Sequence, residues 1–344
     1  MSKTKTSATI SRRNVIKTGA ATAAVSTFFI NGLAKADDPE FTLKLATAAP
    51  KGTPWHRHLK KYNKRVAEAT NGRVKIKAYW GSALGDEAST AAATAKGTRI
   101  QAYGGTAGGL AKLVPELQGL EAPFLFPSLK AADKALDANY GLISDLLASR
   151  GFKLLFYSEN GRRSIGLNKF VKSPGDLKGI KVRSQPTYIH IETWKALGAS
   201  PVPLAVTEVR SNLQTGLVKG FANTPLYTFA GSWYQDISHF TLTKHSYQPG
   251  LVIVSKKVWD SMPSDVQKAM LGEPEKEAAY GRKKVRAIEP QLVANFTNAG
   301  IQVHKPSSGE IGSLKKATSG VIGKYEKKFG SKGKKLISAI KGAM

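Results

Sequence analysis

The chain has 344 residues, 41% of them hydrophobic, no cysteine, and 52 Lys or Arg against 24 Asp or Glu, a net charge of +28. The lack of cysteine excludes disulfides, thiolate metal sites and cysteine nucleophiles, and it suits an oxidising compartment. The charge favours anionic partners, but the lysines are spread over many expected helix faces without an aromatic-basic recognition motif, which argues against nucleic acid.

Residues 1–36 read as an export signal. Arg12 and Arg13 are adjacent, with Ser11 before and Lys17 after; no charged residue lies between Lys17 and Lys35; and the run ends in Ala34-Lys35-Ala36, an A-x-A site. The paired arginines narrow this to the twin-arginine (Tat) type, with cleavage after Ala36 and a mature chain from Asp37, outside the cytoplasm. The run is too short and alanine-rich for a strong membrane-spanning helix. Six Lys or Arg and no acid fall in residues 1–36, so the remaining 308 residues carry +22, enough chain for two compact domains or one large one.

TLKLATAAP (42–50) alternates like a strand, and Thr53 with Pro54 opens a helix on which Trp55, Leu59, Tyr62, Val66 and Ala69 share one face. RVKIKAY (73–79) is the next strand, followed by an alanine-rich helix near 86–96, strand TRIQAY (98–103) and a glycine-rich bend, GGTAGG (104–109). A longer helix is expected around 128–149, then strand FKLLFYS (152–158), ended by a turn at ENG. IKVRSQ (180–185) and TYIHIETWKALG (187–198) make one strand–helix step; VTEVRSNLQTGLVKG (206–220) makes another, with Thr207 as a cap. FANT, HFTLTK and GLVIVS supply short strands, and a helical region spans about 263–299. The alternation predicts an α/β protein with mainly parallel sheets, arranged as two lobes with a late segment crossing between them. Residues 305–344 hold ten Lys against two Glu and read as a solvated, weakly amphipathic end.

The glycines of GGTAGG match neither a phosphate-binding loop nor a dinucleotide fingerprint, and a backbone turn near a ligand is the better reading. His56 and His58 face different ways on a helix, and no histidine has an HExxH partner, so neither metal nor cofactor is expected. No nucleophile elbow or acid/base carboxylate pair asks for an enzyme. The residues that stand out are Arg162 and Arg163 after a strand, and Arg183 within a strand stopped by Pro186. Ligands of open α/β proteins bind at the carboxyl ends of strands, where a guanidinium offers two parallel donors to a carboxylate. A structural salt bridge would leave the same local pattern, so both readings stand at this point.

GRVKIKAYWGSALGDE (72–87), PELQGLEAPFLFPS (115–128) and FYSENGRRSIGLNK (156–169) are followed by SPGDLKGIKVRSQPTYIHIETWKALGASPVPLAVTEVRSNLQTGLVKGFANTPLYTF (173–229) and SKKVWDSMPSDVQ (255–267). In this order they resemble the DctP-type solute-binding proteins of tripartite ATP-independent periplasmic (TRAP) transporters. The resemblance implies a two-domain periplasmic binding protein fold, with hinge strands and a long helix connecting both lobes. Domain I would hold residues 37–160 with about 249–288, and domain II residues 161–248 with about 289–344. It further implies capture of an organic acid anion in the interdomain cleft and delivery to TRAP membrane subunits, with the Tat translocase as a partner during export.

Carried over residue by residue, the family's principal carboxylate-binding arginine falls on Arg183, its second arginine on Arg163, and the asparagine after the V-D-G strand on Asn223. Gln185 projects from the same strand face as Arg183, and Tyr103, Phe124, Tyr227 and Trp55 are further wall candidates; Trp55 also heads an apolar helix stripe. VKGFANT departs from the family's V-D-G pattern through Lys219 and Ala222, which favours a plain anion over a cation-bridged or amine-bearing ligand. The basic balance is not a family feature and adds an expected weak contact with anionic membrane surfaces. Rival readings are a ligand sensor on the same fold, a Tat-exported enzyme and an envelope polyanion binder. C4-dicarboxylates, 2-oxo acids, aromatic acids and sugar acids all remain open as ligands.

Overall fold

Nine strands form one mixed sheet in the computed structural model, which describes residues 38–344; the expected export signal and its cleavage site lie outside the described residues. The strands are β1 (Phe41–Thr47), β2 (Val74–Tyr79), β3 (Ala102–Thr106), β4 (Phe152–Leu167), β5 (Lys181–Ser184), β6 (Ser200–Pro203), β7 (Phe221–Asn223), β8 (His239–Ser255) and β9 (Gln302–His304). Their order is β2-β1-β3-β8-β4-β7-β5-β6, with β9 beside β8.

Two long strands organise the molecule. β4 has 16 residues and β8 has 17, and they pair antiparallel over nearly their whole length. β3 pairs with residues 250–254 of β8, bringing β1 and β2 to that end. β7 pairs with residues 164–166 of β4, and β9 with residues 239–241 of β8, so β5, β6, β7 and β9 gather at the other end. Two lobes therefore share one pair of hinge strands. Within each lobe the neighbours β1/β2, β1/β3, β5/β6 and β5/β7 are parallel, but the sheet is mixed rather than mainly parallel because the shared pair is antiparallel.

The expected turn at ENG does not end the strand. Register shifts between Glu159 and Gly161, with Gly161 at φ 103°, absorb it as a bulge, and β4 continues through Arg163. HFTLTK and GLVIVS likewise belong to one strand, β8. Strand TRIQAY begins only at Ala102, and Gly104 and Gly105 lie within β3. The helix expected over 128–149 divides at Asn139 into Leu129–Ala138 and Tyr140–Ala148. Thr207 sits in the short 3₁₀ turn Val206–Glu208 and caps no helix through its side chain.

Helix Pro54–Ala69 forms as its sequence dictates. The Thr53 hydroxyl accepts from His56 N–H, Pro54 takes the first position, and Trp55, Leu59, Tyr62 and Val66 are buried. The long helix Pro274–Asn298 packs along β4, and its arginines pin it to the hinge. Arg282 reaches Asp133 and Asp137, while Arg286 bridges Asp133 and the buried Glu159. The last helix, Val321–Gly342, kinks at Gly330 and buries Tyr325, Leu336, Ile337 and Ile340 in the same core as Leu110, Leu136 and Phe152 of the first lobe.

Candidate functional site

Where the strands of both lobes converge on the hinge there is a narrow, partly open cavity of about 50 Å³. Six sequence-expected residues line it: Arg163, Arg183, Gln185, Asn223, Tyr227 and Trp55.

Arg183 projects from β5, where its backbone pairs with Val202 and Phe221. It is 3% exposed, and its Nε and Nη2 donate to the Leu204 carbonyl at 3.1 and 2.9 Å. The guanidinium carbon stands 5.3 Å from the centre of the Trp233 ring. One carbonyl thus holds the Nε/Nη2 side, and Nη1 has no hydrogen-bond partner among the described residues. The Nη1/Nη2 edge keeps two N–H groups with the spacing of a carboxylate.

Arg163 comes from β4, just beyond the bulge, and is 2% exposed. Its Nη1 donates to Gln185 Oε1 at 3.1 Å and its Nη2 to the Ala222 carbonyl, while Nε has no partner. Neither arginine has a carboxylate within salt-bridge distance among the described residues. Burial lowers both guanidinium pKa values, to about 10 for Arg163 and about 9 for Arg183, the latter pushed down further by Arg163. Two buried cations without an anionic partner are costly by several kcal/mol each, and an oxyanion on the unused N–H groups offsets that cost.

Gln185 ties Arg163 to the opposite lobe. Its Oε1 accepts from Arg163 and from Gln248 Nε2 at 3.2 Å, and its Nε2 donates to the Thr106 hydroxyl at 3.2 Å. Gln248 also donates to Glu121, whose carboxylate accepts Gly108 N–H at 2.7 Å and lies 2.8 Å from His190 Nε2. Burial opposes the ionisation of Glu121, but His190 and Arg163 outweigh it and hold its pKa below the usual range. Burial and then Arg163 push His190 down to about 4, so at neutral pH it is an uncharged imidazole that donates to Glu121 from Nε2. Asn223 spends its Oδ1 on Thr224 N–H at 2.8 Å, which leaves its Nδ2 for the cavity.

The walls are aromatic in part. Trp55 is both core and wall: its Nε1 donates to the Glu159 carbonyl at 2.9 Å, and its ring lies so close to Gly250 that a β-carbon there would sit 2.3 Å from it. Tyr227 rests edge-on against Trp233, with ring centres 5.4 Å apart. Tyr103 and Phe124 are not at the cavity wall. Tyr103 lies behind it with its hydroxyl 3.0 Å from Glu87. Phe124 instead takes a left-handed φ of 53° and sits edge-on to His245, 6.5 Å between ring centres, with Lys315 Nζ over its ring. Sequence reasoning missed six polar wall residues, Thr47, Thr53, Glu87, Thr106, Asn160 and Gln248. Glu87 ends the quoted LGDE run and Asn160 belongs to ENG, but neither is distinguished there from an ordinary helix start or turn.

Residues 45–328 match the family described as "Bacterial extracellular solute-binding protein, family 7" (DctP). The chain belongs to this family. The DctP-family chain is 31% identical over 252 residues to the 2,3-diketo-L-gulonate-binding periplasmic protein YiaO of Escherichia coli, covering 72% of this chain and 76% of that one. Among solved structures, a TRAP periplasmic solute binding protein from a Polaromonas species bound to D-erythronate is 28% identical. Its TM-score is 0.82, over 88% of this chain and 99% of that chain. A TRAP periplasmic solute binding protein from Sulfurospirillum deleyianum with bound succinate is 26% identical, with a TM-score of 0.81 over 89% and 100% of the two chains. The DctP-family chain has their two-lobe fold and is a solute-binding protein rather than an enzyme.

Proposed function

We propose that this protein is a periplasmic carrier that closes its two lobes on an organic acid anion and delivers it to TRAP membrane subunits. The observation that carries this reading is the pair of buried guanidiniums, Arg163 and Arg183, which line one cavity with unused N–H groups and no carboxylate partner among the described residues. Arg183 receives the carboxylate end-on, Arg163 and the Nδ2 of Asn223 supply further donors, Gln185 holds Arg163 in place, and Trp55 and Tyr227 confine the body of the solute. The relatives named for binding succinate, D-erythronate and 2,3-diketo-L-gulonate support an acid as cargo.

The chain reaches the periplasm through the Tat translocase and is cleaved after Ala36. One lobe comprises residues 37–160 with about 249–288, the other residues 161–248 with about 289–344, and the final helix crosses back onto the first. The net positive charge draws the carrier weakly to anionic membrane surfaces, where its transporter resides.

A thermal-shift screen of organic acids on protein beginning at Asp37 tests the reading. A ligand at 100 times its dissociation constant adds about 2.7 kcal/mol of stability. That shift is lost in Arg183→Ala and reduced in Arg163→Ala. Absence of any stabilising acid, or a shift untouched by both substitutions, contradicts it.

A further inference from the structure

Glu87 is the only acidic residue lining the cavity among the described residues, and Arg163 and Arg183 are the only basic ones. It is the first residue of helix Glu87–Lys96, which Asp86 caps through Ser89 N–H. Its carboxylate is fixed. Oε1 accepts from Thr106 N–H at 2.8 Å and from the Tyr103 hydroxyl at 3.0 Å, and Oε2 accepts from the Thr106 hydroxyl at 3.0 Å. Burial raises its pKa above the usual carboxylate range, and the three donors offset that only in part. A carboxylate oxygen accepts two hydrogen bonds, so Oε2 has acceptor capacity left.

The glycine-rich segment 104–109 explains how the group fits. A β-carbon on Gly105 would lie 2.6 Å from Glu87 Oε1 and 2.3 Å from the Tyr103 hydroxyl. One on Gly109 would lie 2.2 Å from the same hydroxyl and 2.8 Å from Glu87 Cβ. Neither glycine has a positive φ, so these positions serve close approach rather than a turn. The segment is a seat for the Glu87–Tyr103 pair, and it sets a carboxyl acceptor on the wall of the cavity that the two arginines also line.

We infer that Glu87 selects hydroxylated monocarboxylates over dicarboxylates of the same length, its carboxylate accepting from solute hydroxyls while the arginines hold the single carboxylate. This deepens the carrier reading and rests on it. A solute with two carboxylates can place one on Arg183 and Arg163, but the other then meets the acceptor oxygens of Glu87, with no further cation on the wall among the described residues. A plain alkyl tail leaves the Glu87 acceptor desolvated and unpaired. Hydroxyls donate to Glu87 and also serve the mixed amide groups of Asn160 and Asn223 on the wall.

Calorimetric titration of the full chain with four acids tests this: butanoate, succinate and 2,3,4-trihydroxybutanoate share four carbons, and gluconate extends the hydroxylated series. The hydroxylated acids bind at least about tenfold more tightly than succinate and butanoate. In Glu87→Gln, which keeps the shape and removes the charge, the preference over succinate shrinks at least about tenfold. Should Glu87→Gln fail to fold, the ranking in the unaltered protein decides alone. Succinate binding as tightly as the hydroxylated acids, an unchanged preference in Glu87→Gln, or no binding by either hydroxylated acid overturns the inference. The carrier reading fails separately, when binding of the best acid survives Arg183→Ala.

Discussion

Replacing Arg183 by Met removes the charge while keeping an unbranched side chain in the same slot. The guanidinium gives two hydrogen bonds to one carbonyl, at 3.1 and 2.9 Å, and a cation–π contact to Trp233. Together these contribute roughly 2–4 kcal/mol. Against them stands an unpaired cation buried beside a second one, a cost of several kcal/mol. The two sides nearly cancel, so ligand-free Arg183→Met unfolds in urea within about 2 kcal/mol of the unaltered protein. Binding behaves differently. The bound carboxylate loses two charge-assisted hydrogen bonds of about 1.5–3 kcal/mol each, which raises Kd roughly 10²- to 10⁴-fold. Urea unfolding gives the first quantity and calorimetry the second. A stability loss above about 4 kcal/mol together with a Kd changed less than about fivefold would make Arg183 a strut for the Leu204 carbonyl and refute the reasoning.

Acid should destabilise the ligand-free fold through buried imidazoles. His245 is 4% exposed, and its pKa is pushed down to about 3 by burial, then by Arg163 and His190. Its neutral form is the folded form, so this stability is complete above the unfolded value near 6.5. It is lost as pH falls toward 3, at about 1.4 kcal/mol per pH unit. His245→Gln removes one proton from the slope of stability against pH, and an unchanged slope contradicts the assignment. Arg286→Met strands the buried Glu159 carboxylate, which Arg286 holds from Nε at 3.0 and 3.1 Å, and lowers unfolding stability by about 3–5 kcal/mol. A loss under about 1 kcal/mol would show that the hinge does not depend on this pair. Gly109→Ala drives a β-carbon against the Tyr103 hydroxyl, costs about 1–3 kcal/mol and weakens solute binding by displacing Glu87; unaltered affinity would argue that Glu87 does not meet the solute.

The positions of Arg183 and Gln185 were legible because Arg183 lies in a short strand and Gln185 follows directly at its end, just before the proline that stops it. The two lobes were legible in the repeated strand–helix rhythm. The shared hinge was not, because its strands pass through segments with turn composition, Glu159–Gly161 and Gln248–Gly250, that are locally indistinguishable from loops. Their pairing across some ninety residues, such as Gly161 with Gln248, supplies what the local sequence lacks. Glu87 escaped notice for the same reason. Next to a capping Asp86 it reads as a helix start, and the donors that make it a site element, Tyr103 and Thr106, lie 16 and 19 residues further on. Tyr103 and Phe124 read as wall aromatics because sequence shows that a ring is apolar but not which side of a strand or turn it faces.

The most direct measurement is a crystal structure of the protein with its best-binding acid. The account predicts carboxylate oxygens within about 3.2 Å of the Arg183 Nη1 and Nη2 atoms, with Arg163 adjacent. A carboxylate bound away from both guanidiniums, with Arg183 still engaged only with the Leu204 carbonyl, would contradict it.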